Sequence, residues 1–303
     1  MSTVPAAPVP DLPGPAGGPA GSGGIAAPGY RPGRTLRLRV EARRQLRRRR
    51  TLVVGGLLVL LPFVLMAAFA IGGTPGDGSG TPTLIDTATS SGANFAATSL
   101  FVSAGFVLVV PVALFCGDTV ASEAGWSSLR YLLAAPVPRA RLLAVKLTVA
   151  LGFSAVALVL LPLVAFVAGT AAYGWGDLEL PTGDSVPAGT ALTRLAISVA
   201  YVFVSQLVTA ALAFWLSTVT DAPLGAVGGA VGLTIVGNVL DAVTALHRWR
   251  DALPAHWQFA WLDTMQPVTE WTGMIEGTSI SVSYAVVFAA LAFRGFRTKD
   301  IVS

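Results

Sequence analysis

Few side chains in this sequence can do covalent or metal chemistry, and they lie far apart. The only cysteine is Cys116, and the only histidines are His247 and His256. A single cysteine allows no disulfide within the chain. Two histidines alone would leave a zinc ion poorly enclosed, and no H-E-x-x-H is present. The best nucleophile–base pair is Ser154, which follows Gly152 and Phe153, with His247. A base must come within about 3 Å of its nucleophile. Ser154 falls in the inner half of one apolar run and His247 ends another at the outer face, so the pair cannot meet. Ser154 reads as a packing hydroxyl. Neither lysine, Lys146 or Lys299, closes a G-x-x-x-x-G-K-[ST] loop, so this device for holding ATP phosphates is missing. The expectation is a chain that is no enzyme by itself and binds no cofactor or metal directly.

Other polar groups sit inside apolar runs. Ser99, Ser103, Gln206, Asn238 and Asp241 are candidates for lining a pathway, because polar side chains within a membrane are usually functional. Asn238 and Asp241 lie one helical turn apart, and the carboxylate either lines a path or sits at the headgroups. Gly225 with Gly229, and Gly228 with Gly232, form two overlapping G-x-x-x-G patterns. Small residues four apart let helix backbones approach, either within one subunit or in a dimer.

The elements that must position these residues follow from composition. The chain is 53% hydrophobic and 12% charged, with mean hydropathy +0.69. Soluble domains carry about twice that charge, so the bilayer is the expected solvent. Six apolar runs stand out: Thr51–Gly73, Phe95–Gly117, Leu142–Gly169, Leu195–Thr220, Ala222–Leu246 and Gly277–Phe293. The fold class expected is an all-α integral membrane protein with six transmembrane helices. The sixth run is short for a span of about 20 residues and needs its flanks.

Basic residues orient the spans. Ten of the twenty Lys and Arg fall in Arg31–Arg50, directly before the first run. Arg130, Arg139 and Arg141 fall between runs two and three, and Arg294, Arg297 and Lys299 follow run six. The loops Thr74–Asn94 and Thr170–Thr190 contain no base, and the last outer loop holds Arg248 and Arg250. Positive charge stays in the cytoplasm, which predicts both termini inside and a multi-pass protein of the cell membrane. Residues 1–30, rich in Pro, Gly and Ala, are expected to form a disordered tail, and 31–50 a basic interfacial helix bound to anionic lipid. Because Arg50 abuts the first span, nucleic acid is not an expected partner. Residues 51–303 then form the membrane domain. Between runs five and six, residues 247–276 hold Trp249, Trp257, Trp261 and Trp271. This segment is read as lying in the outer interface, partly helical or re-entrant, with an ordinary amphipathic loop as the alternative.

One polar segment remains, between runs two and three. Asp118 to Ala135 lacks proline and reads as a helix with an apolar stripe at Trp126, Leu129 and Leu133. Pro136 and Pro138 end it. Lys146, just inside run three, is expected to snorkel back to the headgroups. This segment resembles the cytosolic loop of ATP-binding-cassette (ABC) type-2 transporter permeases. Glu123, Leu129, the pair Leu132–Leu133, the turn Pro136, Val137 and Arg139, and Lys146 match that loop. Ser127–Ser128, Pro138 and Val145 depart from it. The closing "FRGFRTKDIVS" is also similar to the family's usual ending. The resemblance covers residues 31–303. It implies a permease that works with a separate ATP-binding subunit, two copies of each, and in most members exports its substrate. The second permease would be a copy of this chain or a paralogue. The loop would be the coupling helix, with Glu123, Trp126, Ser127, Leu129, Arg130, Leu133, Pro136 and Arg139 facing the ATPase. A membrane scaffold that transports nothing is the alternative, and an intramembrane hydrolase a weaker one. The sequence itself does not name the exported substrate.

Overall fold

A computed structural model describes residues 38–72, 83–125 and 138–298. The described chain is built from helices, with one two-residue β-hairpin. Helix α1 (Leu38–Leu46) is short and leads into α2 (Arg49–Gly72). Helices α3 (Gly92–Ala104) and α4 (Val109–Gly125) follow, then α5 (Arg139–Tyr173). Strands β1 (Leu178–Glu179) and β2 (Ser185–Val186) pair antiparallel. Helices α6 (Ala188–Ser205), α7 (Leu207–Val219) and α8 (Pro223–Ala242) come next. Three 3₁₀ stretches, Thr244–Ala252, Pro254–Trp257 and Ala260–Met265, lead to α9 (Thr272–Thr298). Five helical stretches are long and apolar enough to cross a bilayer: α2, α5, α6 with α7, α8 and α9. The bent pair α3–α4 makes a sixth if it counts as one span. The molecule is a multi-pass, all-α membrane protein.

The runs read from sequence locate these helices, but the ends differ. The third run becomes the 35-residue α5, about 52 Å at 1.5 Å per residue, well beyond a hydrocarbon core of about 30 Å. The sixth becomes 27 residues, because the helix continues through exposed Glu276 and Arg294. Charge at the water boundary ends an apolar run but does not end helical hydrogen bonding.

The second run is not one straight span. It breaks at 105–108, and α3 and α4 meet at 53°. Pro111 stands in the first turn of α4, and without an N–H it cannot bond the Val107 carbonyl. The chain bridges the gap with Leu108 N–H on the Ser103 carbonyl at 3.0 Å and Val109 N–H on the Phe106 carbonyl at 3.1 Å. The fourth run is also divided: Gln206 lies between α6 and α7.

The core sits along α3, α4, α5 and α7, with Phe95, Leu100, Leu161, Phe214 and Trp261 fully buried. Its close contacts rely on glycine. Gly169 of α5 faces α3, where a Cβ would lie 2.8 Å from Phe95. Gly117 of α4 faces α8, where a Cβ would lie 3.0 Å from Val227. In contrast, most of α2, α8 and α9 is exposed, with Leu57, Leu60, Leu224 and Val287 among the uncovered apolar side chains.

Candidate functional site

Two polar constellations lie within the helices. The first closes the end where α1, the end of α4 and the start of α5 converge. Lys146 of α5 is 1% exposed. Its Nζ donates to Glu123 Oε1 at 2.6 Å and to Glu41 Oε1 at 3.2 Å. Arg44 of α1 donates to the same Glu123 oxygen at 2.6 Å and lies 3.8 Å from Glu41. Beside them, Arg48 and Arg50 both bind the buried Asp118 carboxylate. Three carboxylates thus face four bases drawn from α1, α2, α4, α5 and the joint between α1 and α2. The snorkelling expected of Lys146 is therefore corrected: the ammonium points into the protein, where two carboxylates replace the water it would otherwise seek.

The same network orients α1. Glu41 and Gln45 are buried, while Leu38, Val40 and Leu46 are exposed. The helix turns Glu41 and Gln45 toward the protein and leaves apolar side chains and arginines outward, the mixture that suits a helix lying on an anionic membrane surface. Arg39, Arg43, Arg47 and Arg49 are exposed and have no acidic partner among the described residues. Arg139, at the start of α5, donates to the Arg297 carbonyl of α9 at 3.3 Å. Glu123 lies three residues before the segment 126–137 begins. Trp126, Ser127, Leu129, Arg130, Leu133 and Pro136 fall in that segment, outside the described residues.

The second constellation surrounds the helix breaks. Ala104 ends α3, and its carbonyl lacks the usual helical donor. Gln206 Nε2 donates to it at 3.3 Å and Gln258 Nε2 at 2.8 Å. Irregular backbone at membrane depth persists only where protein or water satisfies it, and here two glutamine side chains do so. Gln206 was legible in the sequence as an intramembrane polar residue. Gln258 was not, because it belongs to the Trp-rich segment assigned to the interface. Part of that segment packs against the helices: Gln258, Trp261, Thr264 and Met265 are buried, while Trp249 and Trp271 stay exposed.

Three further contacts fix this packing. Tyr201 donates to the Trp257 carbonyl at 2.6 Å, and the Ser198 and Thr264 hydroxyls lie 2.9 Å apart. Arg194 in α6 binds the carbonyls of Thr264, Gln266 and Pro267. Arg194 falls between the loop and run boundaries drawn from sequence, so the loop counts passed over it. Asn94, the last residue of the first loop drawn from sequence, was also missed. Its amide grips Glu179 of β1 at both backbone groups, at 2.7 and 3.0 Å, which anchors the hairpin to α3.

The remaining candidates divide. Ser99 and Ser103 are fully buried on α3, and neither hydroxyl has a hydrogen-bond partner among the described residues. Asp241 receives Arg250 at 3.2 Å and lies 2.7 Å from His256 Nδ1, so it ties α8 to the 3₁₀ segment. Asn238 makes no side-chain hydrogen bond among the described residues and lines a cavity with Gln206. Among the glycines, a Cβ on Gly229 would lie 3.2 Å from Leu216, one on Gly225 would be in ordinary contact, and ones on Gly228 and Gly232 would meet open space. The buried face of α8 is Ala226 and Ala230. Ser154 donates to Ala150 at 2.9 Å, the local satisfaction expected of a packing hydroxyl.

Together the apolar helices and their buried polar joints define a multi-pass membrane protein. No group of three or more His, Cys, Asp or Glu that could hold a metal occurs among the described residues. The chain belongs to the DUF2705 family, described as "Protein of unknown function", whose model matches residues 56–302. No curated protein matches the chain.

Proposed function

We propose that the chain is the permease subunit of an ATP-driven ABC exporter, with both termini in the cytoplasm and a separate ATP-binding subunit coupled through the loop 118–141. The buried Glu123–Lys146 pair, shared with Glu41 and Arg44, carries this reading. It joins the end of α4 to the start of α5, the two helices that flank the segment resembling a coupling helix. A force on that segment is thereby passed to α1, α4 and α5 together. ATP supplies the differential binding that a conformational change requires, because it favours the closed ATPase dimer over the open one. In this account Glu123 is a structural brace, and the apolar contact with the ATPase belongs to Trp126, Leu129 and Leu133.

The test is co-purification. The chain is co-expressed with an ATP-binding subunit encoded beside it and isolated through an affinity tag. The intact chain should retain the ATPase, and Trp126→Ala with Leu129→Ala should lower retention about tenfold, the loss expected for two buried anchor side chains. Equal retention by both forms would remove the docking role. Failure of the intact chain to retain any ATPase would favour a membrane scaffold instead.

A further inference from the structure

A cavity of about 270 Å³ lies between α7, α8, α9 and residues 254–258. Its lining holds no Asp, Glu, Lys, Arg or His. Trp215 and Phe288, stacked at 5.7 Å, form an aromatic wall. Leu233 and Tyr284 at its rim are 51% and 39% exposed, so the opening faces sideways, where the bilayer lies. Gln206 sits near the middle of the 32-residue α6–α7 span, which sets the cavity's depth.

Its polar atoms are directional. The Ala104 carbonyl can only accept, so Gln206 and Gln258 must both turn their amide nitrogens toward it. Each is at least nine-tenths buried, and neither Oε1 accepts a hydrogen bond among the described residues. With both nitrogens held by the shared carbonyl, each amide keeps its oxygen as a free acceptor among the described residues, and both glutamines line the cavity. The Asn238 amide and the Tyr284 hydroxyl are likewise without partners among the described residues. Polar groups left unpaired at membrane depth favour any ligand or water that satisfies them.

We propose that this cavity binds an uncharged amphiphile from the bilayer. A head bearing hydroxyl or amide N–H groups donates to Gln206 and Gln258 and meets Asn238, while an apolar body lies along Trp215 and Phe288. A charged head is excluded, since nothing in the lining would neutralise it. The site is complete in one copy of the chain and stands whether or not an ATPase docks.

The experiment uses the full chain in phosphatidylcholine nanodiscs with a monoacylglycerol carrying a diazirine in its acyl chain. Photolabelling is mapped by mass spectrometry. Adducts at Trp215, Leu233 and Phe288 should saturate at a probe level about tenfold below any labelling of lipid-facing Leu57 and Leu60, the margin of roughly one added hydrogen bond. Unlabelled monoacylglycerol should compete, and hexadecane should not. Asn238→Leu should raise half-saturation about tenfold, and Leu233→Trp, at the exposed rim, should block labelling without touching the polar groups. Parallel, unsaturable labelling of the cavity and α2 would overturn the proposal, as would equal competition by hexadecane. So would cross-links showing a second copy of the chain in the opening. Co-purification of the ATPase is read separately, so loss of either proposal leaves the other measurable.

Discussion

At the scale of single residues, the most consequential group is Lys146. Its ammonium holds two buried carboxylates, so Lys146→Met would leave Glu41 and Glu123 facing each other beside half-exposed Arg44. Removing one partner of a buried ion pair typically destabilises by about 3–5 kcal/mol. A large fall in thermal midpoint in detergent is expected, with partial recovery when Glu123→Leu is added; a surface lysine would give neither. The Ala104 carbonyl allows a second test. Gln206→Leu or Gln258→Leu leaves it one donor, at about 1 kcal/mol each, but the double variant leaves it buried and unpaired. Its loss should exceed the sum of the two, and simple additivity would show that water fills the gap. Sequence reasoning located Lys146, Glu123 and Gln206 but not their partners. Charge and spacing along the chain locate a polar residue in a span, whereas the pairing of Lys146 with Glu41, 105 residues away, exists only once three helices converge.

At the scale of elements, α8 separates a packing glycine from a lipid-facing or partner-facing one. The G-x-x-x-G patterns drew attention to α8, yet its close approach to α4 depends on Gly117 of the other helix. Gly117→Leu must push α4 from Val227 and should destabilise by about 1–3 kcal/mol. Gly228→Ala meets open space, so its fold stability should change by less than about 0.5 kcal/mol. Equal effects of the two would contradict the helix register described. The spans themselves were legible because a bilayer demands long apolar runs. The α3–α4 break was written there too, in Pro111, but continuous hydrophobicity outweighs a single proline in such a reading. The packing of residues 254–265 against the helices was hidden by their tryptophans. Aromatic content is alike in a headgroup belt and in a buried plug such as Trp261, and only burial distinguishes them.

At the scale of the whole molecule, the central claim is mechanical. In the proposed function an ATPase docked outside the membrane would pass its motion through the buried Glu123–Lys146 pair into α1, α4 and α5. The most direct measurement is ATP hydrolysis by the reconstituted pair of subunits in proteoliposomes. The account predicts that the intact chain raises the partner's ATPase rate. It predicts that Trp126→Ala with Leu129→Ala returns the rate to that of the ATPase alone, while Gly228→Ala keeps the stimulation. An ATPase rate indifferent to the chain, or stimulation that survives loss of both anchors, would contradict it.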